Sequence, residues 1–298
     1  MYFTGFADEA SASLDDQIKV TKELGWQNIE SRNVQVDGFP GGMIHDISDE
    51  AFECLVAKLE GSGVRINCFG STIANWGKKI DEPFDSSLAE TRRCIPRMQK
   101  LGVKLVRIMS FAVRDVEDQM EHERFQRVKI INGMFADAGI TAVHENCMNY
   151  GGMGWTFTLK LIENVPGLKL VFDTGNPVGS DDRTKTKPYG KQSAWEFYSH
   201  VKEHVAYMHI KDGNLDAATN KAAYTYPGEG QGNVRRIVKD LLSRGYDGGI
   251  SIEPHMGNVF HDASSGHSLN AEQIYIEYGR KMMSMVESIR TELKLSGG

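Results

Sequence analysis

The chain has 298 residues, 40% hydrophobic and 25% charged, with a formal net charge of -6. These are the values of an ordinary globular protein, which excludes a disordered or fibrous chain. The mild, dispersed negative charge argues against a nucleic-acid or membrane-binding face, since either needs clustered Lys and Arg.

The first residues, Met-Tyr-Phe-Thr-Gly-Phe-Ala-Asp-Glu, lack a basic start and a long apolar run, so no secretory leader is expected. No stretch of about 18 apolar residues predicts a membrane span. Cys54, Cys68, Cys94 and Cys147 form no Cys-x-x-Cys pair. That spacing fits reduced thiols in a cytoplasmic protein and no structural zinc.

Along the chain, apolar runs rich in β-branched residues alternate with helical segments, the pattern of parallel strands joined by crossover helices. Strands are predicted over residues 2–6, 27–31, 64–69, 103–110, 140–146, 168–173, 205–210 and 249–253. Gly25, Gly63, Gly102, Gly139, Gly167 and Gly245 fall where helices should close before the next strand. Eight such units, with no Gly-x-Gly-x-x-Gly after the first strand, predict a single-domain (β/α)8 TIM barrel over residues 1–298 rather than an open doubly wound sheet. The strand-to-helix loops 32–46, 174–192, 212–232 and 254–270 are longer and more polar than the reverse turns. They mark the C-terminal mouth as the working face.

Four successive strands end in a metal-ligand type: Glu145 in Val-His-Glu-Asn, Asp173 in Phe-Asp-Thr-Gly-Asn, His209 in Met-His-Ile-Lys-Asp and Glu253 in Ile-Glu-Pro-His. A charge at the end of an apolar parallel strand is costly when buried alone, and a shared cation removes that cost. Each residue singly could instead cap a helix or pair with a basic neighbour, but four in succession exceed what capping requires. Three carboxylates and one imidazole suit one divalent ion, Mn²⁺ foremost, with Mg²⁺, Co²⁺ and Zn²⁺ as alternatives.

These motifs, with Pro-Gly-Glu-Gly at 227–230 and the final Ile-Glu-Pro, together resemble the xylose-isomerase-like TIM-barrel superfamily of sugar phosphate isomerases and epimerases over essentially the whole chain. The resemblance implies a metal on those four residues and chemistry on a ketose, inosose or keto-sugar. By similarity to ketose 3-epimerases, Glu145 and Glu253 are also the expected acid/base pair. The sequence differs from those enzymes at Asn176, where they carry a substrate-binding histidine, and at Leu215, near where they place an arginine.

Further substrate contacts are expected from Lys211, which strand alternation puts on the face of His209, and from Glu30, Asn146, Asn176, His255 and Glu229. Each has a plainer alternative. Lys211 could pair with a ligand carboxylate, Glu30 could orient Lys211 or pair with Arg32, Glu229 could favour a helix N-terminus, and His255, His261 and His267 could be loop histidines. Trp155, with Trp76 and Phe6, is a candidate apolar wall for a sugar ring, although barrel aromatics are more often core.

Two reactions share this set: isomerisation or epimerisation through an enediolate, and elimination from an inosose or 3-keto-glycoside after the same α-proton abstraction. A phosphodiester nuclease would need more metals and more histidine ligands, and a non-catalytic sugar-binding barrel would not need all four ligands. The expected partner is a small sugar or polyol, with neither nucleic acid nor membrane; a homo-oligomer is compatible.

Overall fold

The computed structural model describes residues 1–256 and 271–295. Eight parallel strands form the barrel: β1 (Tyr2–Gly5), β2 (Asn28–Ser31), β3 (Arg65–Gly70), β4 (Leu105–Ile108), β5 (Thr141–Glu145), β6 (Lys169–Asp173), β7 (Val205–Ile210) and β8 (Gly249–Ile252). From β2 to β8 each pairs with its sequence neighbours, and β8 pairs with β1. A parallel bridge between Phe6 and Glu30 closes the ring from β1 to β2. The eight predicted strands all form, six of them shortened by one to four residues, 205–210 unchanged and 64–69 shifted by one residue at equal length, and the fold is the predicted (β/α)8 barrel.

Outer helices cover the strands, among them Leu14–Glu23, Asp49–Ser62, Asp85–Leu101 and Glu121–Asp137. The six glycines expected to close helices all have φ between +68° and +82°, a backbone region that costs other residues a Cβ clash. Two apolar layers lie between strands and helices, one around Val20, Phe172, Ile210 and Tyr278, the other around Leu55, Val106, Ile131 and Phe135. The lumen below the mouth is filled by Cys68, Val143, Val171 and Tyr207, so the barrel is packed rather than open. Among the described residues no helix is long and apolar enough to cross a membrane.

The long loops carry structure of their own. Residues 33–34 pair with 42–43, and Asp212–Asp216 pairs antiparallel with Lys221–Thr225 as a hairpin beside the mouth. Asp212 organises this second loop. Its carboxylate accepts from the backbone N–H groups of Gly213, Gly228, Gly230 and Gly232 at 2.8–3.1 Å. Pro-Gly-Glu-Gly is thus a wrapping of backbone amides around the aspartate of His-Ile-Lys-Asp, and Asp212 points away from the mouth as alternation requires.

Candidate metal centre

Register brings the four ligand types together. Asp173 and His209 are directly paired across β6 and β7, Glu145 ends β5, and Glu253 follows β8 with its N–H on the Ile210 carbonyl at 2.9 Å. One donor atom from each lies within 4.8 Å of the others, and all four residues are buried.

His209 Nε2 lies 3.0 Å from Glu30, which also accepts from Ser251 Oγ at 2.6 Å. The Glu30 carboxylate holds Nε2 and leaves Nδ1 facing Glu145, 3.5 Å away, so that Nδ1 is the nitrogen a metal would take once its proton is displaced. Nδ1 has no hydrogen bond, and neither has Asp173 Oδ2, which meets only the Lys211 ammonium at 3.3 Å. Buried polar atoms without hydrogen bonds are rare, and an ion is one reason they persist. Asp173 Oδ1, in contrast, is occupied by the N–H groups of Gly175 and Asn176 at 2.8 and 2.6 Å. A carboxylate oxygen and an imidazole nitrogen that both lack a hydrogen bond, flanked by two more carboxylates, fit a divalent cation.

Around this group, six buried carboxylates (Asp8, Glu9, Glu30, Glu145, Asp173 and Glu253) face three permanent cations, Arg32, Arg107 and Lys211. Arg107 donates to Glu145 at 3.0 Å, Lys211 to Glu253 at 2.9 Å, and Arg32 spans Asp8 at 2.9 Å and Glu253 at 3.1 Å. Burial opposes ionisation of Glu145, but Arg107 and then His209 outweigh it and hold the carboxyl at about 2. Glu253 is held well below its usual range against the same burial, by Lys211, His255 and Arg32. Burial wins at Asp173, lifting it to about 6 despite Lys211, with Glu253 and Glu145 adding to the rise. His209, which burial alone would push down, is raised to about 10 by Glu30 and Glu145. The surplus negative charge therefore holds protons in the metal-free protein, and a divalent ion would replace them.

The remaining expected residues fall into two groups. Asn176 Nδ2 donates to Glu145 at 3.1 Å, and Asn176, Lys211 and His255 line the mouth cavity. Lys211 bridges the carboxylates of Asp173 and Glu253, its stem passing close over Gly175, where a Cβ would lie 2.6 Å from Lys211 Cγ. His255 Nδ1 is 2.7 Å from Glu9, with Nε2 3.7 Å from Glu253. Asn146 clasps the backbone of Asp173, accepting from its N–H at 2.7 Å and donating to its carbonyl at 2.9 Å.

Others lie elsewhere. Glu30, expected against substrate or Lys211, is fully buried behind His209. Glu229 is exposed and paired with Lys281 at 3.0 Å. Trp155 starts the helix Trp155–Asn164 and stacks on His200 at 3.8 Å, outside the mouth, because its strand ends ten residues earlier. Phe6 is no sugar wall; it is buried under the Arg32 and Arg107 guanidiniums at 4.4 and 5.2 Å, with His209 on its edge. Trp76 does line the cavity. Leu215 lies in the hairpin strand Asp212–Asp216, and His261 and His267 fall outside the described residues. Arg107, Glu9 and Tyr224 are not expected from the sequence, and Arg32 only as a partner of Glu30; for Arg107 a signal exists, an arginine inside the apolar run Val-Arg-Ile-Met.

A cavity of about 840 Å³ opens at Glu145 and Glu253 and reaches from Glu253 and His255, past Tyr224, to Trp76 and Met148. A (β/α)8 barrel with an acidic, histidine-containing cluster at its C-terminal mouth is the class this architecture defines. Residues 18–277 match the xylose isomerase-like TIM barrel family, and the chain belongs to it. No curated protein matches the sequence. The fold is shared with a xylose isomerase-like TIM barrel protein from Mycobacterium smegmatis in complex with magnesium (TM-score 0.68, 18% identity, 97% of each chain covered). It is also shared with a D-tagatose 3-epimerase-like protein (0.70, 16% identity, 98% of this chain and 100% of the other). A third is a probable 3-DHS dehydratase from Bacillus anthracis (0.66, 15% identity, 95% of this chain and 99% of the other). At these identities the likeness is one of fold.

Proposed function

We propose that the protein is a divalent-metal-dependent isomerase or epimerase acting on a ketose or related sugar through an enediolate, with Glu145 and Glu253 as the proton-transfer pair. The observation that carries this reading is the convergence of two glutamates, from the two ends of one arc of four adjacent strands, on one centre with Asp173 Oδ2 and His209 Nδ1. When bound by these four residues, a divalent ion would supply Lewis acidity toward a carbonyl and its neighbouring hydroxyl.

The protein's own residues supply the rest. Both glutamates are anionic at neutral pH, Glu145 through Arg107 and Glu253 through Lys211, so either can accept a carbon-bound proton and the carboxyl so formed can return it. Lys211 places its ammonium between Asp173 and Glu253 at the cavity wall, a positive charge that would stabilise negative charge developing on a substrate oxygen beside it. Asn176 holds Glu145 at one oxygen and fixes the direction of its other lone pairs.

Elimination from an inosose or 3-keto-glycoside begins with the same proton transfer. It is supported by the shared fold of the 3-DHS dehydratase and by Asn176 standing where 3-epimerases carry a histidine. Incubating ketoses, inososes and 3-keto-glycosides with metal-loaded protein in deuterated water separates the readings by NMR. Deuterium beside the carbonyl in a product of unchanged composition supports epimerisation or isomerisation, an unsaturated product supports elimination, and a label moving intramolecularly between carbons overturns both.

A further inference from the structure

We propose that the natural substrate carries a second, uncharged sugar ring, seated in a side chamber of the candidate site; the position of the first ring rests on the proposed reaction. The 840 Å³ cavity ends at Trp76, Cys147, Met148, Gly179 and Ser180, and the same five residues begin another cavity of about 410 Å³. The two are therefore one groove with a shared waist. The first part alone lies high in the range of about 300–1,000 Å³ typical for drug-sized ligands, so a lone hexulose held at the carboxylates would leave the waist and side chamber in water.

The chemistry of the walls selects the occupant. Trp76 contributes its indole to the lining at the waist, an apolar aromatic surface of the kind against which the C–H groups of a pyranose pack. Met148 stands beside it 54% exposed, an adaptable apolar side chain left in water unless a ligand covers it. Beyond the waist the polar groups are of mixed sign. Asp181 and Lys191 are already paired with each other at 2.9 Å, and the Arg183 guanidinium lies 5.7 Å over the Tyr189 ring. A phosphate subsite would present converging, uncommitted cations, whereas paired charges and mixed donors and acceptors beside an aromatic wall match neutral hydroxyls.

Calorimetric binding to the metal-loaded full chain tests this without requiring turnover, using a free hexulose, its phosphate, a glucosyl-hexulose disaccharide and a phenyl glycoside of the hexulose. The disaccharide should bind at least about tenfold more tightly than the hexulose. Val113→Trp, which fills the side chamber, should bring that ratio toward one, and Met148→Ala at the exposed waist should reduce it even if the tryptophan variant does not fold. Equal or weaker disaccharide binding, no binding at all, a gain confined to the phosphate or the phenyl glycoside, or a ratio unmoved by both substitutions overturns the proposal. Tight disaccharide binding without solvent exchange or turnover leaves the second ring standing and removes the reaction; turnover of hexulose with no disaccharide preference does the reverse.

Discussion

The Glu30 carboxylate lies 3.0 Å from His209 Nε2 and is fully buried, so the imidazole is oriented from behind with Nδ1 presented to the candidate centre. Exchanging Glu30 for glutamine keeps the shape and removes the charge that makes His209 a strong donor. Outer partners of this kind are typically worth about 10- to 100-fold in metal affinity. Glu30→Gln should therefore weaken Mn²⁺ or Co²⁺ binding by that factor in calorimetry while the circular dichroism spectrum stays unchanged. Unaltered affinity would remove Glu30 from the centre.

Metal uptake should release protons. In the metal-free protein His209 titrates at about 10 and Asp173 at about 6, so at pH 7 to 9 the imidazole carries a proton that a metal must displace. The sign follows: affinity rises with pH through this window, by about tenfold per unit for one displaced proton, and more steeply below about pH 6, where Asp173 is protonated as well. Calorimetry in buffers of different ionisation enthalpy counts the protons, and His209→Ala should remove the one released at pH 8.

Glu145→Gln and Glu253→Gln should lose turnover by roughly 10² to 10⁴-fold, with a smaller loss in substrate binding, since general acid/base catalysis contributes on that scale. Glutamine is a poor ligand, so turnover is compared with metal content measured on the same samples. Near-normal turnover by a fully loaded variant would take that residue out of proton transfer.

Much of this was legible because parallel strands buried on both faces read as apolar β-branched runs, and a charge at the end of such a run stands out. Leu-Val-Phe-Asp and Tyr-Met-His announce Asp173 and His209 in this way. The misplaced residues had no such signal. Glu30 also lies near the end of a strand, and only its closeness to His209, 179 positions away, shows that it stands behind that imidazole. Trp155 follows a short turn at Gly151–Met153 and opens a helix, where its ring stacks on His200, and the side-chain pairings of Arg32 with Asp8 and Glu253 exist only once the barrel is closed.

The loop behind the site offers a stability test. Asp212→Ala would strip the partner from four backbone N–H groups, and leaving such groups unsatisfied costs about 1–3 kcal/mol each where water cannot replace the bond. A loss of roughly 3 kcal/mol in urea unfolding is expected, accompanied by a raised KM because Tyr224 rides on the same hairpin. A variant as stable as the parent would show that the glycine loop holds itself.

The most direct test of the central claim is anomalous scattering from a crystal soaked in Mn²⁺. A single strong peak is expected among Glu145, Asp173 Oδ2, His209 Nδ1 and Glu253, lost in Asp173→Asn and His209→Ala crystals treated identically. A peak confined to Glu9, Glu253 and His255, which also bring donor atoms within 4.8 Å of one another, or no peak at the mouth at saturating Mn²⁺, would contradict it.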